Sequence, residues 1–282
     1  MIDRALSQRE PIPAELPAAD ALRLFSDYLR VTGVAHTEPE PHGDPRLIGK
    51  RVGLLNGSSW ITLWANYFGR HYLPGAHLVN AGNEAVQINF MEAHAAGRAT
   101  PPPANIAAFQ RYAVDLVELG RVDAVLITCS TMNRAYPQVQ ASLRPYGTPV
   151  FQIDRPMMER AVAHGGRVLV IATHGPTVAN TQALLREVAQ ARGQDVRLAG
   201  ALVEAAWQAM ARGDVAEHNA LLAESIRAHQ QTEDIGCVVL AQLSMSVFLL
   251  SYPDPLQAFG VPVFASGQCG FEAVREALVS RP

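Results

Sequence analysis

Val122-Asp123-Ala124-Val125-Leu126-Ile127-Thr128-Cys129-Ser130-Thr131 reads as an apolar strand that ends in a thiol and two hydroxyls. Gly236-Cys237-Val238-Val239-Leu240-Ala241-Gln242-Leu243-Ser244-Met245 repeats the pattern 113 positions later, with Gln242 where Cys129 stood. The same offset carries Thr148-Pro149-Val150-Phe151 onto Val261-Pro262-Val263-Phe264, and each copy then runs into a helix-like stretch. Upstream, Arg51-Val52-Gly53-Leu54-Leu55-Asn56-Gly57 is answered by Arg167-Val168-Leu169-Val170-Ile171-Ala172-Thr173. Two similar halves with different polar residues at matching strand ends imply one site between them, with chemically unequal walls.

Working outward, short β-branched runs alternate with longer helical stretches, the pattern of parallel strands joined by crossover helices. The spacing predicts strands near 50–56, 76–81, 123–128, 149–153, 167–172, 195–200, 236–241 and 261–265. Helices are predicted over 60–70, 84–96, 104–120, 155–164, 177–192, 214–232 and 268–280. Continuous apolar runs such as Val168–Ala172 fit strands covered on both faces. Ligands of such sheets bind beyond the carboxyl ends of the strands, which puts Asn56, Cys129, Thr173 and Gln242 at candidate site positions. Residues 1–47 read as an extension with a helix over Ala18–Thr32, whose apolar face would pack against the main body or against a second subunit in a homo-oligomer.

A chain of 282 residues, 49% apolar and 17% charged, can bury a sizeable core and has the composition of a globular protein. A net charge of −3 gives no support to a nucleic-acid partner. No apolar run approaches the roughly 20 residues of a membrane helix, and the N-terminus lacks the regions of a signal peptide, so the expected location is the cytoplasm. Three dispersed cysteines without CxxC spacing should be free thiols, and the scattered histidines form no local metal-binding pattern.

At the strand ends the chain resembles the aspartate/glutamate racemase superfamily, which includes amino-acid and hydantoin racemases, maleate cis-trans isomerases and arylmalonate decarboxylases. Four motifs carry the resemblance in order over roughly residues 48–282: Asn56-Gly57-Ser58-Ser59, Thr128-Cys129-Ser130-Thr131, Ala172-Thr173-His174-Gly175-Pro176-Thr177 and Leu240-Ala241-Gln242-Leu243-Ser244-Met245. It implies an α/β fold of two pseudo-symmetric lobes, each a parallel sheet flanked by helices, with the active-site cleft between them and no metal or organic cofactor. Lobe 1 would span 48–154 with a C-terminal return over 261–282, and lobe 2 would span 155–260.

Two-base racemases of the family carry one cysteine from each lobe, one removing and the other returning a proton. Here Gln242 fills the second position, and an amide is neither an acid nor a base near neutral pH. Cys129 is thus the expected catalytic thiol, its pKa lowered from about 8.5 by backbone N–H groups at the start of the next helix or by nearby cations, unless it is merely a small buried apolar residue. His174 is the second catalytic candidate, an acid or base facing Cys129. Asn56, Ser58, Ser130, Thr131, Thr173, Thr177, Gln242 and Ser244 would bind the substrate carboxylate and an enolate-like intermediate, or else cap helices and turns. The expected activity is proton transfer at an activated carbon of a small carboxylate or carbonyl compound. Alternatives are a decarboxylase with one protonating cysteine, a cis-trans isomerase with a cysteine nucleophile, and a binding protein without catalysis.

Overall fold

The computed structural model describes residues 43–280. The helix expected over Ala18–Thr32, with nearly all of the 1–47 extension, lies outside the described residues. The first lobe runs β1 (Arg51–Asn56), α1 (Ser59–Tyr72), β2 (His77–Gly82), α2 (Glu84–Ala95), α3 (Pro103–Glu118), β3 (Ala124–Ile127), α4 (Tyr136–Leu143) and β4 (Val150–Gln152). The second runs α5 (Arg155–His164), β5 (Arg167–Ala172), α6 (Gly175–Ala191), β6 (Arg197–Leu202), α7 (Glu204–Ala211), α8 (Val215–Thr232), β7 (Ile235–Leu240), α9 (Phe248–Ser251), α10 (Pro255–Phe259), β8 (Val263–Ala265) and α11 (Ser266–Val279).

Each lobe holds a four-stranded sheet, ordered β2-β1-β3-β4 in one and β6-β5-β7-β8 in the other, and every neighbouring pair is parallel. The matching order realises the sequence repeat. Central strands β1, β3, β5 and β7 are buried along almost their whole length, as apolar strands covered on both faces must be. Local chemistry sets the helix starts: the side chains of Ser58, Asn83 and Asp214 accept backbone N–H bonds at the heads of α1, α2 and α8, and Pro103 opens α3 at a position that needs no N–H.

The C-terminal segment divides between the lobes, which corrects the expectation that all of 261–282 rejoins lobe 1. β8 stays in the second sheet, pairing Val238 with Val263 and Leu240 with Ala265. α11 crosses over, burying Phe271, Val274 and Leu278 with Leu54, Phe68 and Leu126 of lobe 1. α5, which follows β4, packs within lobe 2 and buries Met157, Met158, Ala161 and Val162 with Val168, Val170 and Val239. Where α11 passes β4, a Cβ on Gly270 would stand 2.7 Å from the Ile153 carbonyl oxygen, so the crossing requires glycine. An Arg160–Glu272 ion pair of 2.7 Å ties the two helices together.

Phe271 is fully buried in the crossover contact. Phe271→Ala should lower unfolding stability by about 3–5 kcal/mol in denaturant titrations. A loss below about 1 kcal/mol would show that α11 does not anchor lobe 1.

Candidate active site

The first-lobe wall is built where β1 and β3 end side by side. Cys129 follows β3 in extended conformation and leads into a 3-10 turn over Ser130–Ala135. A Cβ on Gly57 would lie 2.7 Å from Cys129 Sγ, so the glycine after β1 is what lets the thiol rest against the loop. The Thr131 hydroxyl is 3.0 Å from Sγ. Gln87 Oε1 lies 3.7 Å from the same Gly57 Cβ position, bringing the first turn of α2 to the site.

Cys129 is 3% exposed, and burial pushes its thiol above the ordinary value. The Thr131 hydroxyl and the backbone N–H groups of Met132 and Thr131 pull the other way, and the Asp154 charge reinforces burial. The expected lowering is thus overturned: the turn does offer its N–H groups, but the cost of placing a thiolate in a dry site exceeds what they supply. Cys129 rests as a neutral thiol. Cys237 and Cys269 are also free and buried, with thiols pushed up to about 12 and about 11 by desolvation.

Asn56 ends β1 beneath this loop rather than in it. Its side-chain oxygen accepts from the Thr128 hydroxyl, and its amide donates to Asn80 Oδ1 at 2.8 Å. Asn80 in turn donates to Asn66 Oδ1 at 3.0 Å, forming a part-buried ladder between β1, β2 and α1. Ser58 is a helix cap, accepting from Ile61 N at 3.5 Å. The Ser59 backbone N–H donates to Glu84, whose carboxyl this bond and the Ser59 hydroxyl hold below its usual range. An internal carboxylate therefore occupies the head of α1.

The second-lobe wall repeats the plan with different atoms. Gln242 Oε1 accepts from the Thr173 backbone N–H at 2.7 Å and from its hydroxyl at 2.9 Å. With its oxygen so held, Gln242 presents its amide hydrogens. Ser244, the counterpart of Thr131, is buried within the 3-10 turn over Leu243–Val247. Thr177 lies half-buried in the first turn of α6, its backbone N–H returning to the His174 carbonyl at 3.1 Å.

His174 stands at the head of α6 with its ring 4.6 Å from that of Trp207. Desolvation lowers its pKa, with Glu204 opposing. Trp207 then meets Trp60 of lobe 1 edge to face at 5.5 Å, so the aromatic wall spans both lobes. Sequence reasoning missed Trp207, Glu84, Gln87 and Asp154. Asp154 stands two residues beyond Gln152 on β4 just as Cys129 stands two beyond the paired Ile127 on β3, a register that the fold reveals. Among the described residues, no three His, Cys, Asp or Glu side chains gather as metal ligands, and no helix is long and apolar enough to cross a membrane.

The described fold is shared with solved enzymes. Glutamate racemase isoform RacE1 from Bacillus anthracis superposes with a TM-score of 0.54 at 16% identity, covering 82% of each chain. Allantoin racemase from Klebsiella pneumoniae gives 0.54 at 16% identity over 82% of this chain and 88% of its own. Glutamate racemase from Francisella tularensis in complex with D-glutamate gives 0.55 at 16% identity over 81% of each chain. No curated protein matches the chain significantly in sequence. The profile of the family described as Asp/Glu/Hydantoin racemase matches residues 76–274, well over half of the chain. By that match, and with the two-lobed fold in agreement, the chain belongs to the Asp/Glu/hydantoin racemase family.

Proposed function

We propose that this protein is a cofactor-independent isomerase of the racemase type, moving a proton at an activated carbon of a small carboxylate or carbonyl substrate through Cys129. The observation that carries the reading is a neutral thiol lying against Gly57 at the end of β3, hydrogen-bonded to Thr131. Burial that raises a thiol makes it a proton donor, whereas the partial desolvation that lowers His174, whose side chain stays exposed, favours a neutral imidazole able to accept. Cys129 and His174 thus rest in complementary protonation states on different lobes.

In the proposed reaction the His174 imidazole takes the proton from the substrate carbon, and the C–H electron pair passes into an enolate. The Gln242 amide donates to the enolate oxygen. Cys129 delivers its proton to the opposite face and becomes a thiolate, which Thr131 and the turn N–H groups stabilise. Solvent exchange restores both groups. A substrate carboxylate fits the second lobe, near Thr173, Thr177 and the head of α6, because Glu84 already fills the head of α1. Trp60 and Trp207 favour substrates with an apolar or planar group.

Gln242 in place of a second thiol favours one other reading, decarboxylation. Loss of carbon dioxide yields an enolate without a base, and a neutral Cys129 is suited to protonate it. A cysteine nucleophile is less well served, since attack needs the thiolate that burial disfavours.

Proton NMR in D2O with amino acids, hydantoins, hydroxy acids, malonates and maleate tests the proposal. Deuterium uptake at a substrate carbon is expected, reduced by about 10²-fold or more in Cys129→Ala. Carbon dioxide release instead would establish the decarboxylase. Binding without conversion in both proteins would overturn catalysis on these compounds. His174 should titrate below the ordinary 6.5, and Trp207→Ala should raise its midpoint by removing desolvation. Proton abstraction should therefore fail as pH falls through the His174 midpoint. An elevated midpoint, or none of this acid-side loss, would remove His174 as the base.

A further inference from the structure

We propose that Asp154 is the positioning residue of the thiol: its buried carboxylate, level with Cys129 on the neighbouring strand, keeps Cys129 in the proton-donating form and braces the turn that carries it. The inference rests on Cys129 being the proton carrier, and deepens that reading.

The geometry is set by strand pairing. Ile127 pairs with Gln152, and Ile153 N donates to the Ile127 carbonyl at 3.0 Å, so one step further Cys129 and Asp154 leave adjacent strands together. Asp154 is 3% exposed and stands at the head of α5, yet makes no cap bond there. Its Oδ2 instead accepts from Asn133 Nδ2, and the Ser130 hydroxyl is near enough to favour the charged carboxyl. Ser130 and Asn133 belong to the turn that begins at Cys129. Gln152 Nε2 fastens the same turn through the Asn133 carbonyl at 2.6 Å.

The groups facing Asp154 leave its charge free to act on the thiol. Arg134 from the turn, Arg155 from α5 and Glu187 from α6 line with it a cavity of about 250 Å³. Arg134 pairs with Glu187 at 3.0 Å and Arg155 with Glu159 at 2.8 Å, so both cations are bound to other acids. α11 contributes Ser266, whose hydroxyl is near enough to favour the charged carboxyl although neither it nor Asp154 Oδ1 completes a hydrogen bond. Burial raises Asp154 to about 6, which leaves it ionised at neutral pH.

The second lobe serves as an internal control. At the 113-residue offset Asp154 becomes Gly267 and Asn133 becomes Ser246. There the contact is Gly267 N donating to Ser246 Oγ at 3.0 Å, with no carboxylate. The acid accompanies the strand end that bears the thiol and is missing where Gln242 replaces it.

The test is NMR titration of the full chain labelled with 13Cβ-cysteine, with Cys129 assigned by Cys129→Ser. The wild type should show a midpoint above the ordinary thiol value, with a small earlier step near pH 6 as Asp154 ionises. Asp154→Asn should lower the Cys129 midpoint and so raise the thiolate fraction at neutral pH. Asp154→Glu, which keeps the charge, should restore a high midpoint. An unchanged or raised midpoint in folded Asp154→Asn overturns the proposal. If that variant does not fold, absence of the early step in the wild type does so. The readout needs no turnover, so its failure is separate from failure of the proposed activity.

Discussion

The close crossing of α11 over the end of β4 is the constraint on which the rest of the molecule depends. At Gly270 the helix lies against the Ile153 backbone with no room for a side chain. One residue further along the strand comes Asp154, and one residue further along the helix comes Phe271, the plug of the first lobe's apolar layer. The first lobe's core is thus completed by a helix delivered from the second, while α5 carries the chain from β4 onto the second lobe's own layer. Loops at the strand ends are thereby held toward one another, and Trp60 and Trp207 meet between them.

On that frame the duplicated strand ends have diverged in chemistry while keeping their geometry. In both lobes the second residue beyond the third strand in sequence reaches back to the loop after the first. Cys129 rests against Gly57, whereas Gln242 grips the backbone and hydroxyl of Thr173. The first contact leaves a buried thiol beside the glycine, and the second leaves the Gln242 oxygen committed to Thr173. Desolvation acts in opposite directions on the titratable groups, raising Cys129 and lowering His174, and so leaves both neutral.

Most strands and helices were legible because their signals are local: β-branched runs such as Val168–Ile171, and caps such as Ser58 and Asp214. α7 escaped notice because Glu204–Ala211 is short and alanine-rich, with little to separate it from a loop, and Trp207 went with it. Placement of β8 was legible in the repeat, since the 113-residue offset that carries Val150-Phe151 onto Val263-Phe264 also carries the partner strand β3 onto β7; the expectation of a return to lobe 1 set that signal aside. Asn56 was read as facing the substrate because its partners Asn80 and Thr128 are distant in sequence. Asp154 before Arg155-Pro156 looks like an ordinary helix cap, and only the fold shows that its side chain turns to Asn133. The sign of the thiol's shift was likewise hidden, because burial depends on all the layers at once.

The central claim is that one thiol serves one face of the reacting carbon. It is tested most directly by the stereochemical course of deuterium entry in D2O, followed over the earliest turnovers of a compound that the enzyme converts. The account predicts label of a single configuration, introduced from the Cys129 side. Equal labelling of both faces from the first turnover, or the same single labelling in Cys129→Ala, would contradict it.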